Sequence, residues 1–267
     1  DSGGEFHSQL CPIAQAEPYY LKTTFADELE AIQKRGTRIV SPVLDMTRGM
    51  HHVEDALYKT AVIMGVPKAK IKTAITKALL AQMDAFETLK YMGRQFVDDL
   101  EADPRKIGIV IFGRPYNSFA KEANKGIPAK FASRGYPVAP FDCLSFEGER
   151  GKAGLFWGIA QKIYKGAEMV KKHPRLFPVF ITNFSCGPDS FLVSYFRDLM
   201  GRKPSLTLEL DSHTADAGLE TRIEAYLDIV SMYQHTVDAD RRQEGHPFVP
   251  ARISRKADHF TFVSSAG

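Results

Sequence analysis

An alternation that begins after Pro104 constrains this chain most. Apolar, β-branched runs, IGIVIFG, YPVAPFD, FPVFITNF and SLTLELD, are separated by segments with helical spacing, KGIPAKFASRG, GLFWGIAQKIYKGAEMVKK, SFLVSYFRDLMG and LETRIEAYLDIVSMY. A strand that is apolar on both faces must be covered on both, and strands that alternate with helices close as βαβ units. The pattern predicts a doubly wound parallel α/β sheet of Rossmann or flavodoxin type over residues 106–235. Upstream, VEDALYKTAVIMG and KAKIKTAITKALLAQMDAFETLKYMGRQFVDDLEA have long helical periodicity, with Pro67 and Pro104 as punctuation, and predict a helical connector over 51–105.

Before the connector, FADELEAIQKRG predicts an amphipathic helix closed by Gly36, and TRIVSPVL a strand. Residues 1–50 therefore read as the end of a first α/β layer that carries a cysteine loop. HTVDADRRQEGHPFVPAR is polar enough for a linker, so 236–267 read as a linker and the start of a further segment. The first residues lack an initiator Met and HFTFVSSAG ends on a strand-like run, which suggests a piece of a longer polypeptide.

Composition narrows the function classes. With 35 basic and 32 acidic side chains, a formal charge of +3 and no basic block interleaved with aromatics, the 267-residue chain shows no nucleic-acid track. No apolar run approaches the ~20 residues that span a bilayer and no secretory signal opens the chain, so the cytoplasm is the default expectation. Three scattered cysteines make a poor disulfide framework, which leaves metal ligation, catalysis or inert burial.

In an open parallel sheet, ligands collect outside the carboxyl ends of the strands, where loops converge and helix N-termini point outward. Four such ends are predicted, carrying Arg114-Pro115-Tyr116-Asn117, Asp142-Cys143, Asn183 to Ser190 with Cys186 among them, and Asp211 to Thr214. Cys186 lies between a strand and a helix opening at Pro188, where backbone N–H groups favour a thiolate. Cys143 ends the preceding strand, before the glycine-rich EGERGKAG. Cys11 lies in CPIAQAEPYY, where Pro12 and Pro18 predict an extended or turning backbone. Each cysteine read alone is equally well a buried small hydrophobe. A zinc site completed by His7 or His213 is a rival, although the usual C-x-x-C knuckles are missing. GERGK has the wrong spacing for a phosphate loop, His51-His52 lacks the spacing of a zinc protease, and no G-x-S-x-G elbow surrounds Ser185 or Ser190.

The segments GRPYNSFAKEANKGIP, NFSCGPDSF, LELDSHTADAGLETRIEAYL and CPIAQAEPYY together resemble acyl-CoA dehydratase activase-related proteins, over most of residues 5–230 and in the same order. That family is similar to the cluster-bearing subunits of 2-hydroxyacyl-CoA dehydratases and benzoyl-CoA reductases and to double-cubane cluster proteins. The resemblance implies an iron-sulfur cluster, 4Fe-4S or 8Fe-9S, with Cys11, Cys143 and Cys186 as its thiolates. It also implies a homodimer or pseudo-dimer, and a partner ATPase domain or subunit that carries its own 4Fe-4S cluster and delivers electrons for reduction of a small molecule, such as an acyl-CoA. The region upstream of Cys11 is missing or too short to include the strand and further motif that the resemblance implies there.

Around such a centre, Arg114 is a candidate to neutralise charge, against a purely structural arginine. Tyr116 and Asn117 are candidates to line the pocket, against a turn role. Asn183, Ser185 and Ser190 are candidates for contacts to sulfur. Asp211 and His213 are a candidate acid/base pair, against a helix-capping loop with a surface histidine. Two other classes compete: a non-catalytic scaffold with buried cysteines, and a metal-free enzyme acting on a small molecule at the strand ends.

Overall fold

The computed structural model describes residues 10–45 and 50–243. They form two compact units, residues 10–87 with 156–158, and residues 88–155 with 159–243.

The first unit is helical among its described residues. Helix α1 spans Pro12–Thr24, α2 Ala26–Lys34, α3 Met50–Ile63, and α4, Lys68–Ala102, begins here and crosses into the second unit. Two expectations are corrected. CPIAQAEPYY is helical: Pro12 takes the first helical position, where its missing N–H is no loss, and the helix runs through Pro18. TRIVSPVL forms no strand, since the four strands of the described sheet all lie downstream of Asp103. It lies instead beside α3, where Ile39 to Val43 and residues of α3 line an open, shallow pocket of about 410 Å³. The expected helix closed by Gly36 is present, with Gly36 at φ 92° just past the end of α2.

The second unit is built on four parallel strands, β1 Gly108–Gly113, β2 Val138–Pro140, β3 Leu176–Asn183 and β4 Leu206–Leu210, in the order β2-β1-β3-β4. Short helices α5, Pro115–Phe119, and α6, Ile127–Ala132, connect β1 to β2. Helix α7, Gly158–Lys172, connects β2 to β3; α8, Gly187–Met200, connects β3 to β4; and α9, Asp216–Gln243, follows β4. Every residue of β1 is buried, and so is all of β3 except Asn183 at its end, which is why both read as continuous apolar runs. On one face Ile109, Ile111, Val179 and Ile181 pack with Ile127 and Phe131 of α6 and Leu219, Ile223 and Tyr226 of α9. On the other, Phe112 stacks on Phe141 and meets Phe196 of α8 edge to face, as does Phe180. The doubly wound α/β expectation holds. One local reading does not: residues 235–243 continue α9 instead of forming a linker.

A proline inside central β3 needs an explanation, because it cannot donate to the ladder. Pairing with β4 starts one residue later, at Val179 opposite Leu206, and the Pro178 carbonyl accepts from the buried Tyr226 hydroxyl at 2.9 Å. Tyr226→Phe should therefore lower stability by about 1 kcal/mol in urea unfolding, with the ring packing retained.

At the opposite, amino end of the sheet, two buried basic side chains close helix ends. Lys203 donates to the carbonyls of Val170 (2.6 Å) and His173 at the end of α7, over the Phe177 ring. Arg175 donates to Leu100 and, at 2.6 Å, to Asp103, where α4 stops.

Candidate functional site

Strand order places the functional edge. From β1 the chain steps outward to β2, then crosses to β3 on the other side, so the order reverses between β1 and β3. Loops leaving the carboxyl ends of two such strands diverge and leave a crevice, the usual ligand position in this architecture. Here the corresponding loops are Arg114 to Asn117 after β1 and Phe184 to Asp189 after β3.

Three residues beyond β3, half-buried Cys186 occupies the N-cap position of α8 without a side-chain bond to the helix. Ser185, immediately before it, holds φ 62°, a left-handed conformation unusual for a residue with a side chain. Arg114 reaches across from β1: its Nε donates to Asp189 Oδ1 at 3.1 Å, and an Nη2–H faces Cys186 Sγ at 3.8 Å. The other Asp189 oxygen accepts the Thr182 hydroxyl at 2.8 Å. The Arg114 and Asp189 side chains are only 14% and 3% exposed, so this ion pair is screened from water. Burial pushes the Cys186 thiol up, as does the Asp189 charge; the Asp189 backbone N–H and the Arg114 charge pull it back. Burial outweighs the helix end and the guanidinium together, and the thiol stays above its ordinary range.

The remaining predicted residues separate by environment. Asn117 is fully buried; its Nδ2 donates to the Ile181 carbonyl at 3.2 Å and its Oδ1 has no partner. Asn183 Oδ1 is likewise buried without a partner. Tyr116 is about half exposed, as the side chain of a short helix, α5, instead of a turn. The Ser190 hydroxyl donates to the Cys186 carbonyl at 2.9 Å and so serves the first turn of α8, not the sulfur. Phe184 and Phe191 stand exposed beside them at the mouth.

Cys143 lies in a single 3-10 turn after β2 and is 4% exposed. Register explains the depth: Pro140, the last residue of β2, sits opposite Ile111, and so does Val179, four residues short of the end of β3. Burial pushes the Cys143 thiol up and Asp142 adds to this, while Lys90 opposes it. Lys90, from α4, donates to the Leu144 carbonyl at 2.5 Å and pairs with Glu147 at 2.8 Å. Burial also raises Asp142, against the pull of Lys162 and Lys90.

Asp211 and His213 sit after β4, the strand on the far edge from β2. Asp211 Oδ1 accepts from the His213 backbone N–H at 2.9 Å and the Thr214 hydroxyl at 2.7 Å, while the imidazole pairs with Ser212 at 3.1 Å. The carboxylate thus shapes the turn before α9, and the Thr214 hydroxyl in particular holds it below the usual range. Cys11 belongs to the first unit, half-buried at the amino end of α1; its carbonyl accepts the Gln15 N–H at 3.1 Å. His7 lies outside the described residues.

The sequence profile of the CoA enzyme activase uncharacterised domain (DUF2229) matches residues 1–144, more than half of the chain. The chain belongs to this CoA enzyme activase family. Neither curated proteins nor solved structures give a match. The match supports the resemblance of the sequence to acyl-CoA dehydratase activase-related proteins at the level of the activase family. The matched part of this activase-family chain holds Cys11, Arg114 and Cys143, while Cys186, Asp189 and Thr182 lie beyond it. No helix among the described residues is long and apolar enough to cross a membrane.

The donor set can be tested against an iron-sulfur centre. Thiolate sulfur is the chemistry such clusters take, and this edge of the sheet supplies two thiols, with the Arg114 guanidinium directed at one of them. Among the described residues no three His, Cys, Asp or Glu side chains gather around one point. The second unit itself offers two thiols, and Cys11 stands in the first unit. Sequence reasoning missed Thr182 and Asp189, because a hydroxyl inside a strand and an acid in the first turn of a helix are ordinary there. Only the 75-residue separation bridged by the Arg114–Asp189 pair reveals their use.

Proposed function

We propose that this activase-family chain is the electron-accepting, iron-sulfur component of an ATP-dependent low-potential reductase or dehydratase system acting on a small molecule, with an acyl-CoA as the substrate class. The observation that carries the reading is Cys186 at the β1/β3 switch point, with the Arg114 guanidinium facing its sulfur. Cys186, Cys143 and Cys11 would hold the cluster, which supplies one-electron chemistry at a potential set by its ligands and their hydrogen bonds. Arg114 would offset negative charge on the liganded sulfur, and Asn117 and Asn183 would present acceptors beneath the crevice. Electrons would come from an ATPase domain or subunit bearing its own 4Fe-4S cluster, and a second copy or a homologous half would complete the assembly.

The test is anaerobic purification with iron and sulfide analysis and a visible spectrum. Brown wild-type protein is expected, with Cys186→Ser losing roughly half or more of the iron. Protein that stays colourless after anaerobic reconstitution while its circular dichroism shows a folded chain overturns the reading.

The burial of Cys143 favours a second reading, a metal-free site at the crevice in which Cys143 only packs against α4. Cys143→Ala distinguishes the two, since it bleaches the protein under the first reading and leaves small-molecule binding intact under the second.

A further inference from the structure

We propose that Thr182 and Asp189 are positioning residues for the Cys186 sulfur and act on it through Arg114. This rests on the reading above only in taking that sulfur to carry negative charge when it works. The chain of contacts starts inside the sheet. Thr182, near the end of β3, is buried and gives its hydroxyl proton to Asp189 Oδ2 at 2.8 Å. That fixes the carboxylate plane, and Asp189 Oδ1 then takes the Nε–H of Arg114 at 3.1 Å. With its Nε edge occupied, the planar guanidinium has its Nη2 directed at Cys186 Sγ, 3.8 Å away.

Asp189 lies in the first turn of the helix that Cys186 opens, so one element holds both the anchor of Arg114 and the sulfur it faces. A neutral thiol, a weak acceptor, has no need of a guanidinium N–H directed at it. A sulfur that is anionic in its working state does, since charge-assisted hydrogen bonds are the strong ones and tune liganded sulfur. A lone arginine on a loop would hold its long side chain there only at an entropic cost, and a buried carboxylate that is itself fixed removes most of that freedom in advance. The Arg114–Asp189 pair alone would be a structural ion pair; the Thr182 hydroxyl on one side and the sulfur on the other give it a direction.

Thr182→Val isolates the effect. It preserves shape, alters no charge, and removes an atom that touches neither Arg114 nor Cys186. The readout is the rate of iodoacetamide alkylation at Cys186, followed by peptide mass spectrometry on the metal-free chain, at a pH where the rate has levelled. There the thiolate fraction is saturated and only the donors on the sulfur still matter. Arg114→Gln should raise that plateau about threefold or more and Thr182→Val about twofold, because each donor lost frees sulfur electron density.

In the Arg114→Gln background, Thr182→Val should add nothing, since the group it acts through is gone. Thr182→Ser, which restores the hydroxyl, should return the wild-type rate. A Thr182→Val effect that persists without Arg114, or a Thr182→Ser chain that behaves like Thr182→Val, overturns the proposal. So does a plateau that Thr182→Val leaves unchanged. The outcome is separate from the iron analysis. Colourless protein that alkylates as described defeats the cluster and keeps the positioning residues, and brown protein indifferent to Thr182→Val does the reverse.

Discussion

Gly93→Ala is expected to destabilise the second unit by about 3 kcal/mol, seen as a lower urea midpoint. The sign is the informative part. Gly93 lies in the interior of α4, where replacing glycine by alanine in a free helix gains about 1 kcal/mol. Here a Cβ would stand 1.9 Å from the Cys143 carbonyl oxygen and 2.5 Å from its carbon. Those are backbone atoms of a tight 3-10 turn and cannot swing aside as a side chain would. The helix would have to back away, weakening the Lys90 bond to the Leu144 carbonyl and the packing of Phe96 and Leu100 against Gly108. Gly218→Ala in α9 is the control, because a Cβ there meets nothing within 4 Å and should stabilise. If both substitutions stabilise, α4 does not approach Cys143 as described.

The second large effect concerns Lys203. Burial lowers its pKa from 10.5 to about 7. The folded chain thus binds this proton less readily than the unfolded one, and the stability associated with the neutral amine is fully present above the unfolded pKa. It is lost as pH falls toward and through about 7. Across the window between these values stability therefore climbs with pH, by about 2 kcal/mol between roughly pH 7 and 9 for this group alone. Lys203→Met keeps the stem over Phe177 but has no proton to bind, so its urea midpoint should be flat over the same range. A wild-type midpoint that is also flat there would mean that the amine keeps an ordinary pKa. His173, next to it, responds in the same direction at lower pH: burial takes it from 6.5 to about 4, so its share is lost as pH falls through that window.

Fold class was legible because β1 and β3 are buried along almost their whole length, and continuous apolar runs between helical segments have few other solutions. TRIVSPVL misled because β-branched composition reports a preference for extended backbone and not the presence of a neighbour to pair with. CPIAQAEPYY misled for the opposite reason, since a proline at the first helical position looks in sequence like one that breaks a helix. At the candidate site, Arg114, Asn117, Cys143 and Cys186 could be singled out as strand-end residues. Thr182 and Asp189 could not, because their importance lies in contacts made across the sheet. The buried position of Lys203 was equally hidden, as nothing in RKPSL marks a lysine whose amine ends on helix carbonyls.

The shape of β2 bears on how copies of this chain could associate. It is three residues long, stands at one border of the sheet, and ends in Pro140, which offers no N–H. So brief a border, closed by an imino acid, gives an incoming strand almost no hydrogen bonds to extend. At the other border Arg222 already donates to the Thr207 carbonyl of β4. Self-association by continuing the sheet from one molecule into the next is therefore disfavoured at both ends, which directs any pairing of two copies to side chains and loops, and protects an otherwise very apolar ribbon from growing into a fibre.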